Sequence, residues 1–574
     1  MNSRFRSFVF FFVLVSVCGT HFQPANGQDV RSYPNELSQG IAARWITDRG
    51  LRADIRFLAD DLLEGRGPGT RGDRLAMRYV ATQFELMGLK PAAPGGQWIQ
   101  PVPLVSVTTR PPDQVAFQTG DQTLRLENYQ DYIMASGLPN ERSKIDDAEL
   151  VFVGYGIQAP EYDWDDFKGV DVRGKIMVVM NNDPADDPEK FAGRTRLYYG
   201  RWDYKYAKGA ELGAAGMLII HTTESAGYPY QVVQTSWTGP QMALAGQTGG
   251  RLPMEGWVTE EAAKRLMNLA GFDLDELRTR AERRDFKPVP LGIRTTFELK
   301  CLVENSETGN VLGLLPGSDP ELSREWVVFM AHHDHLGMEQ PRDDRGDFIY
   351  NGAVDNASGL ATMLNIARAI TSLPESNRPR RSILFASVGA EEQGLLGSEY
   401  LAHHPPIPAG NLAAVINIDG INILGPTEDV VVIGKGKSDL DNVVQRMARH
   451  QNRVVVGDQF PDRGYYYRSD QFSLAKIGVP GVYLGPGVHV IGKPEGWGRN
   501  KLREWTEKIY HQTSDEYSET WDLSGAVLDA QLLFHVGLQV ADQPDMPAWN
   551  SGDEFESARK KAIADRNLSA ESQR

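Results

Sequence analysis

The spacing of apolar positions divides the chain into four zones. Residues 36–92 read as helical. Within Gly72–Met87, Ala76, Tyr79, Val80, Phe84 and Met87 share one helical face, and Gly88 follows as a stop. Residues 99–135 alternate as extended strands do. Beyond Asp146, ELVFVGYGI, GKIMVVM and GMLIIHT are apolar runs of strand length, with a helix over Lys205–Leu212 before the last. From Asn310 strands and helices alternate. VLGLLPG, EWVVFMAH, RSILFASVG, AAVINID, DVVVIG and GVPGVYLG are the strands. Ala357–Ser372, GLLGSEYLAHH, Asp439–Gln451 and Leu523–Val540 are the helices. In Ala357–Ser372, Leu360, Met363, Leu364, Ala367 and Ile370 form one apolar stripe. The alternation predicts an α/β fold, a mixed and mainly parallel sheet flanked by helices.

The shift near Asp146 marks a β-rich module lying between the early helices and the alternating zone. The expected organisation is a signal segment at 1–27, the N-terminal part of a catalytic domain at 28–140, the inserted module at 141–290, the rest of the catalytic domain at 291–545, and a charged tail at 546–574. The loop GRGPGTRG has no strand before it and lacks a P-loop lysine, so it reads as a structural turn.

Composition adds three points. With 574 residues, more than one domain is expected, and 41% apolar with 24% charged residues describes an ordinary globular chain. A net charge of −16 argues against a nucleic-acid partner, which needs a basic face. The start, MNSRFRSFVFFFVLVSVCG, sets Arg4 and Arg6 before a short apolar run, and Ala25-Asn26-Gly27 offers a cleavage site. The run is short of the roughly 20 residues a spanning helix needs. Export to the periplasm or the extracellular space follows, with no membrane span after removal. Only Cys301 then remains, so no internal disulfide can form.

Between Val327 and Asp419 the strands stop abruptly at histidines and carboxylates. In open α/β sheets, ligands sit at the carboxyl ends of strands. His332 and Asp334, two apart on a strand, point the same way, so His332 reads as a metal ligand with Asp334 holding its far ring nitrogen. His333 faces away and His335 is expected to turn out. Asp355 precedes a helix; it is either an N-cap or a carboxylate whose two oxygens serve two metals. Adjacent Glu391 and Glu392 at the end of an apolar strand repel each other, and a cation relieves that. Glu392 reads as the ligand and Glu391 as a general base. Asp419 ends VINID, and His511 lies far along in KIYHQTSDEYS, with Asp515 placed to orient it. Imidazole and carboxylate without thiolate suit zinc. Two neutral imidazoles and three carboxylates carry one negative charge fewer than two divalent ions supply, and a bridging hydroxide closes the balance. Such metal pairs lie ~3.5–4 Å apart.

The elements AHHDHLG, GAVDNASG, AEEQGLLGS, NID and YHQTSD, in this order, resemble the co-catalytic zinc aminopeptidase family that includes bacterial leucyl aminopeptidases and glutamate carboxypeptidase II. The resemblance implies a zinc exopeptidase fold and two zinc ions per chain. His332 and Asp419 would hold one ion, Glu392 and His511 the other. Asp355 would bridge them, and Glu391 would be the base. It also makes the inserted module similar to a protease-associated domain. It likens YYYRSDQF to a segment whose tyrosine approaches the substrate oxyanion; Tyr465, Tyr466 and Tyr467 are the choices, and Tyr466 is the expected one. The implied function is an exported dizinc exopeptidase, an aminopeptidase acting on peptides. The rival readings are a carboxypeptidase or dipeptidase of the same family, a glutaminyl cyclase-like acyl transferase, and a non-catalytic receptor-like relative.

Overall fold

The structure is a computed structural model, and it describes residues 32–184, 190–191, 193–226, 228–246, 249–338 and 346–572. The expected signal segment lies outside the described residues.

Three helices open the chain: α1 (Ser32–Ala43), α2 (Asp48–Leu58) and α3 (Arg71–Leu86). Thr47 and Thr70 cap the second and third, their side-chain oxygens accepting from Gly50 N and Asp73 N. The predicted stripe of α3 turns inward, with Ala76, Val80 and Phe84 fully buried. A long strand β1 (Ile99–Arg110) follows.

The middle of the chain builds its own parallel sheet from β2 (Arg142–Phe152), β3 (Ile176–Met180), β4 (Gly216–His221) and β5 (Met254–Thr259), with α4 (Trp202–Glu211) before β4. Its central strands β3 and β4 are buried at every position because both faces are covered. Leu150, Val178 and Leu218 join one core cluster, while Val151, Val179 and Ile219 join another on the opposite face. The first of these cores also takes in Val115, Phe117, Leu126, Tyr132 and Met134, strand residues upstream of 141.

The 27-residue strand β6 (Val289–Leu315) passes from this sheet to the next. Over Val289–Leu299 alternate residues are buried, the pattern of a sheet with one wet face; from Thr308 to Gly313 every residue is buried. Its first part pairs with β2 and its middle with β1, and its last residues pair antiparallel with a later strand.

The remaining chain supplies β7 (Trp326–His332), α5 (Gly359–Thr371), β8 (Ser382–Val388), β9 (Leu412–Asn417), β10 (Gly481–Gly485) and α6 (Ser524–Asp542). The sheet order is β6–β8–β7–β9–β10, antiparallel at β6–β8 and parallel in the rest. The expected mixed, mainly parallel sheet with flanking helices is what forms. Val327, Phe329 and Ala331 face the helices α2, α3, α5 and α6, while Val328 and Met330 face a smaller core on the other side. Phe329 and Phe385 stack at 5.5 Å between neighbouring strands. Helix α6 lies so close that a Cβ on Gly537 would sit 2.2 Å from Phe329 Cζ, which explains a glycine in a buried helix interior.

The charged tail has a structural part that its composition does not suggest. Trp549 and Phe555 are buried, and α7 (Glu556–Ser572) brings Arg559 Nη1 within 2.8 Å of the Leu412 carbonyl at the start of β9. Among the described residues, no helix is long and apolar enough to cross a membrane.

Candidate metal centre

The carboxyl ends of β7, β8 and β9 lie side by side because the three strands are parallel neighbours, and each ends in chemistry. His332 closes β7. Its Nε2 lies 3.3 Å from Asp355 Oδ1 and 3.4 Å from Asp419 Oδ1. His511, 179 positions later, brings Nε2 to 3.2 Å from the other oxygen of Asp355 and 3.0 Å from Glu392 Oε2. Asp355 thus sits between two histidines, one at each oxygen. Ligand atoms of His332, Asp355 and Glu392 fall within 4.8 Å of one another, as do those of His332, Glu391 and Asp419. All seven residues that the sequence reading gathered here, apart from Tyr466, converge: His332, Asp334, Asp355, Glu391, Glu392, Asp419 and His511.

Asp355 caps no helix. Residues 353–358 form an irregular turn before α5 begins at Gly359, and Asp355 adopts φ −109°, ψ 94° with no side-chain cap. The peptide between Asp355 and Asn356 is cis. The carboxylate is left free for the two histidines.

Asp334 is fully buried, its Oδ1 3.7 Å from His332 Nδ1. The same carboxylate accepts from the backbone N–H of Glu391 at 3.1 Å and of Glu392 at 3.4 Å. The side chain therefore holds the turn that presents both glutamates, while the hydrogen bond of His332 Nδ1 is to the backbone carbonyl of Asp334 at 3.3 Å. Ser469 Oγ donates to Asp419 Oδ2 at 2.6 Å and fixes the fourth carboxylate in the same way.

Three sequence expectations need correction. His335 does not turn out; it is buried, and its Nδ1 lies 2.6 Å from Glu392 Oε1. Asp515 does not orient His511. It accepts from the backbone N–H groups of Val354 and Asp355 at 3.0 Å, so it anchors the turn carrying the central aspartate. Tyr466 does not approach the cluster. Its ring is buried against Phe555 and Tyr467 under Lys437, and its hydroxyl has no hydrogen-bond partner. Tyr465 and Tyr467 line the cleft instead, because the short turn Tyr465–Tyr467 points successive side chains apart. A buried hydroxyl without a partner is costly. Tyr466→Phe is expected to leave kcat/KM within twofold of wild type and the melting temperature unchanged or raised.

Beneath the cluster lies Arg66, from the glycine-rich loop. Its guanidinium is buried and donates to the carbonyls of His333 (2.8 Å), Asn351 (2.7 Å) and Gly352 (3.1 Å), and to that of Leu58. Gly65 and Gly67 allow the approach, since a Cβ on Gly65 would lie 2.2 Å from the Gly337 carbonyl oxygen. His333 is clasped between Asp73 Oδ1 (3.1 Å) and Ser387 Oγ (2.9 Å). Nothing in the period of the chain signals Arg66 or Asp73, which lie about 265 residues upstream of their targets.

The electrostatics are those of crowded carboxylates. Burial, helped by Glu392 and Asp419, holds the pKa of Glu391 well above the ordinary value even though His332 opposes it. Burial alone would lower the His332 and His511 pKa values. The surrounding carboxylates win at both, raising His511 to about 10. A divalent cation would replace the protons these groups otherwise share. The donor set fits one. His511 Nε2 is buried without a hydrogen-bond partner although carboxylate oxygens of two residues converge on it, as metal-facing nitrogens do.

The cluster floors a cleft of 2950 Å³. The middle module forms the opposite wall through Arg196, Tyr198 and Tyr228. Arg196 N donates to Pro461 O at 3.0 Å, and the Tyr198 ring lies 4.9 Å from Phe472, so the wall is pinned to the segment that follows Gln459.

Residues 310–534 match the model of Peptidase family M28. The family resemblance is borne out for this segment, which contains every motif that carried it. The mouse Aminopeptidase NAALADL1 is 34% identical over 134 residues, 23% of this chain and 16% of that protein. Aminopeptidase Y of Saccharomyces cerevisiae is 26% identical over 256 residues, 43% of this chain and 41% of that protein. This chain thus spans less than half the length of either relative. Among solved structures, an aminopeptidase from Aneurinibacillus sp. strain AM-1 superposes with a TM-score of 0.48 at 18% identity, covering 88% of this chain and 97% of that one.

Proposed function

We propose that the protein is an exported, zinc-dependent exopeptidase of the aminopeptidase type, with two zinc ions per chain. The observation that carries the reading is the placement of Asp355 between His332 and His511, each histidine also facing a further carboxylate. His332, Asp355 and Asp419 would hold one ion, and Asp355, Glu392 and His511 the other. Bound there, zinc supplies a Lewis acid that polarises a peptide carbonyl and makes a water acidic enough to attack it.

The chain's own residues do the rest. Glu391 lines the cleft beside both groups and, although within ligand distance of His332 and Asp419, is assigned to neither ligand set. Its pKa, raised by burial, suits a group that takes a proton from the attacking water and returns it to the leaving amine. Asp334 is a positioning residue that fixes the His332 imidazole and the Glu391–Glu392 turn. The middle module acts as a protease-associated roof that narrows the cleft and restricts it to chain ends and short peptides. The N-terminal segment 1–27 directs export to the periplasm or the extracellular space.

The test uses the purified full chain. Metal analysis should give two zinc per chain. 1,10-Phenanthroline should abolish hydrolysis of aminoacyl-coumarins, and added zinc should restore it. N-acetylated peptides should resist cleavage. Cleavage of N-blocked and free peptides at equal rates would overturn the aminopeptidase assignment, and activity insensitive to chelator would overturn the metal one.

A further inference from the structure

Arg468 is a cation in the same cleft for which the described residues supply no counter-charge. It is exposed to solvent and lines the cleft together with Asp355, Glu391, Glu392, Asp419 and His511. Its partners are aromatic: Nη2 donates to Tyr510 Oη at 3.4 Å, and the guanidinium lies 5.5 Å from the centre of the Tyr465 ring. Among the described residues it forms no ion pair. Two other cations on the wall are matched, Arg201 by Asp203 at 3.0 Å and Lys501 by Glu504 at 2.8 Å. Tyr510, which takes the Arg468 hydrogen bond, stacks on the His511 imidazole with ring centres 3.8 Å apart. A guanidinium held by tyrosines keeps its charge and offers its remaining N–H groups as a planar fork that matches a carboxylate. It stands one tyrosine away from the metal cluster, within the reach of a residue or two beyond the scissile bond, since each extended residue spans about 3.5 Å.

We infer that Arg468 is a specificity-determining residue that takes a substrate carboxylate close to the scissile bond, so that short peptides bearing such a carboxylate are the favoured substrates. The carboxylate is either the C-terminal one of a dipeptide or an acidic side chain on the leaving residue. The inference rests on the peptidase reading only for the word substrate; anion binding by Arg468 stands apart from turnover.

The experiment compares Leu-Gly, Leu-Gly-amide and Leu-Asp-amide in the wild type, Arg468→Gln and Arg468→Lys. It measures kcat and KM, and calorimetric binding of the three peptides to Glu391→Gln with and without Arg468→Gln. Arg468→Gln is expected to raise KM about 10- to 100-fold for whichever carboxylate the site reads. It should leave kcat, and both constants for Leu-Gly-amide, within threefold, and Arg468→Lys should restore part of the loss. An effect on Leu-Gly alone assigns the C-terminal carboxylate, and an effect that includes Leu-Asp-amide assigns the side chain. Equal losses on all three peptides, or no loss on any, would overturn the inference. If the wild type cleaves none of the three yet binds the acids through Arg468, the inference stands and the peptidase reading falls.

Discussion

Replacing Glu391 by glutamine is expected to lower kcat roughly a thousandfold, the scale of a lost general base, while KM and zinc content stay near wild type. The amide keeps the shape of the carboxylate and cannot accept the proton. The six ligand contacts through His332, Asp355, Asp419, Glu392 and His511 do not pass through residue 391, so metal analysis of the variant should still return two zinc per chain. Glu391 also lies within ligand distance of His332 and Asp419, so the experiment has a second informative outcome. Zinc falling to one per chain would make Glu391 a ligand and move the base elsewhere. Near-normal turnover would remove it from the chemistry.

The second large effect falls on stability. Arg66→Met should destabilise the protein by about 3–5 kcal/mol, the range found when one partner of a buried charged group is removed. Four backbone carbonyls lose their donor, and methionine cannot replace it. Burial lowers the Arg66 pKa to about 10, against the pull of Asp334, Asp515, Asp355 and Glu392, so the group remains a cation at neutral pH and offsets the carboxylates above it. Arg66→Lys should recover little of the loss, because a single ammonium cannot reach carbonyls that a planar fork spans. Urea unfolding at fixed zinc concentration measures the difference. A shift below 1 kcal/mol would mean that water satisfies those carbonyls and that the guanidinium is dispensable.

The sheet and the metal cluster were legible in the sequence for the same reason: both depend on short-range patterns. Phe329 and Phe385 sit in runs of strand length, and His332, Glu391 and Asp419 each stand where such a run stops. What could not be read depends on which remote segments meet. His335 follows His332 by three positions, and whether it turns in or out is decided by Glu392, 57 residues on. Asp515 was four residues from His511, a helical neighbour spacing, but that stretch is not helical and the carboxylate found the backbone of Asp355 instead. Three consecutive tyrosines offer no internal cue to which one faces the cleft. Tyr466 is drawn the other way by Phe555 and Lys437, which lie in segments its own neighbourhood does not foretell. Arg66 was hidden in a loop whose glycines explained it well enough as a turn.

One strand, β6, belongs to both sheets, pairing with β1 and β2 along one stretch and with β8 along another. Two bodies sewn together by shared backbone hydrogen bonds have no flexible joint between them, unlike lobes connected by a peptide tether. On the peptidase reading proposed above, the gap facing the cluster would then act as a gauge whose width the shared strand sets, refusing a peptide too bulky for it instead of opening to accommodate it.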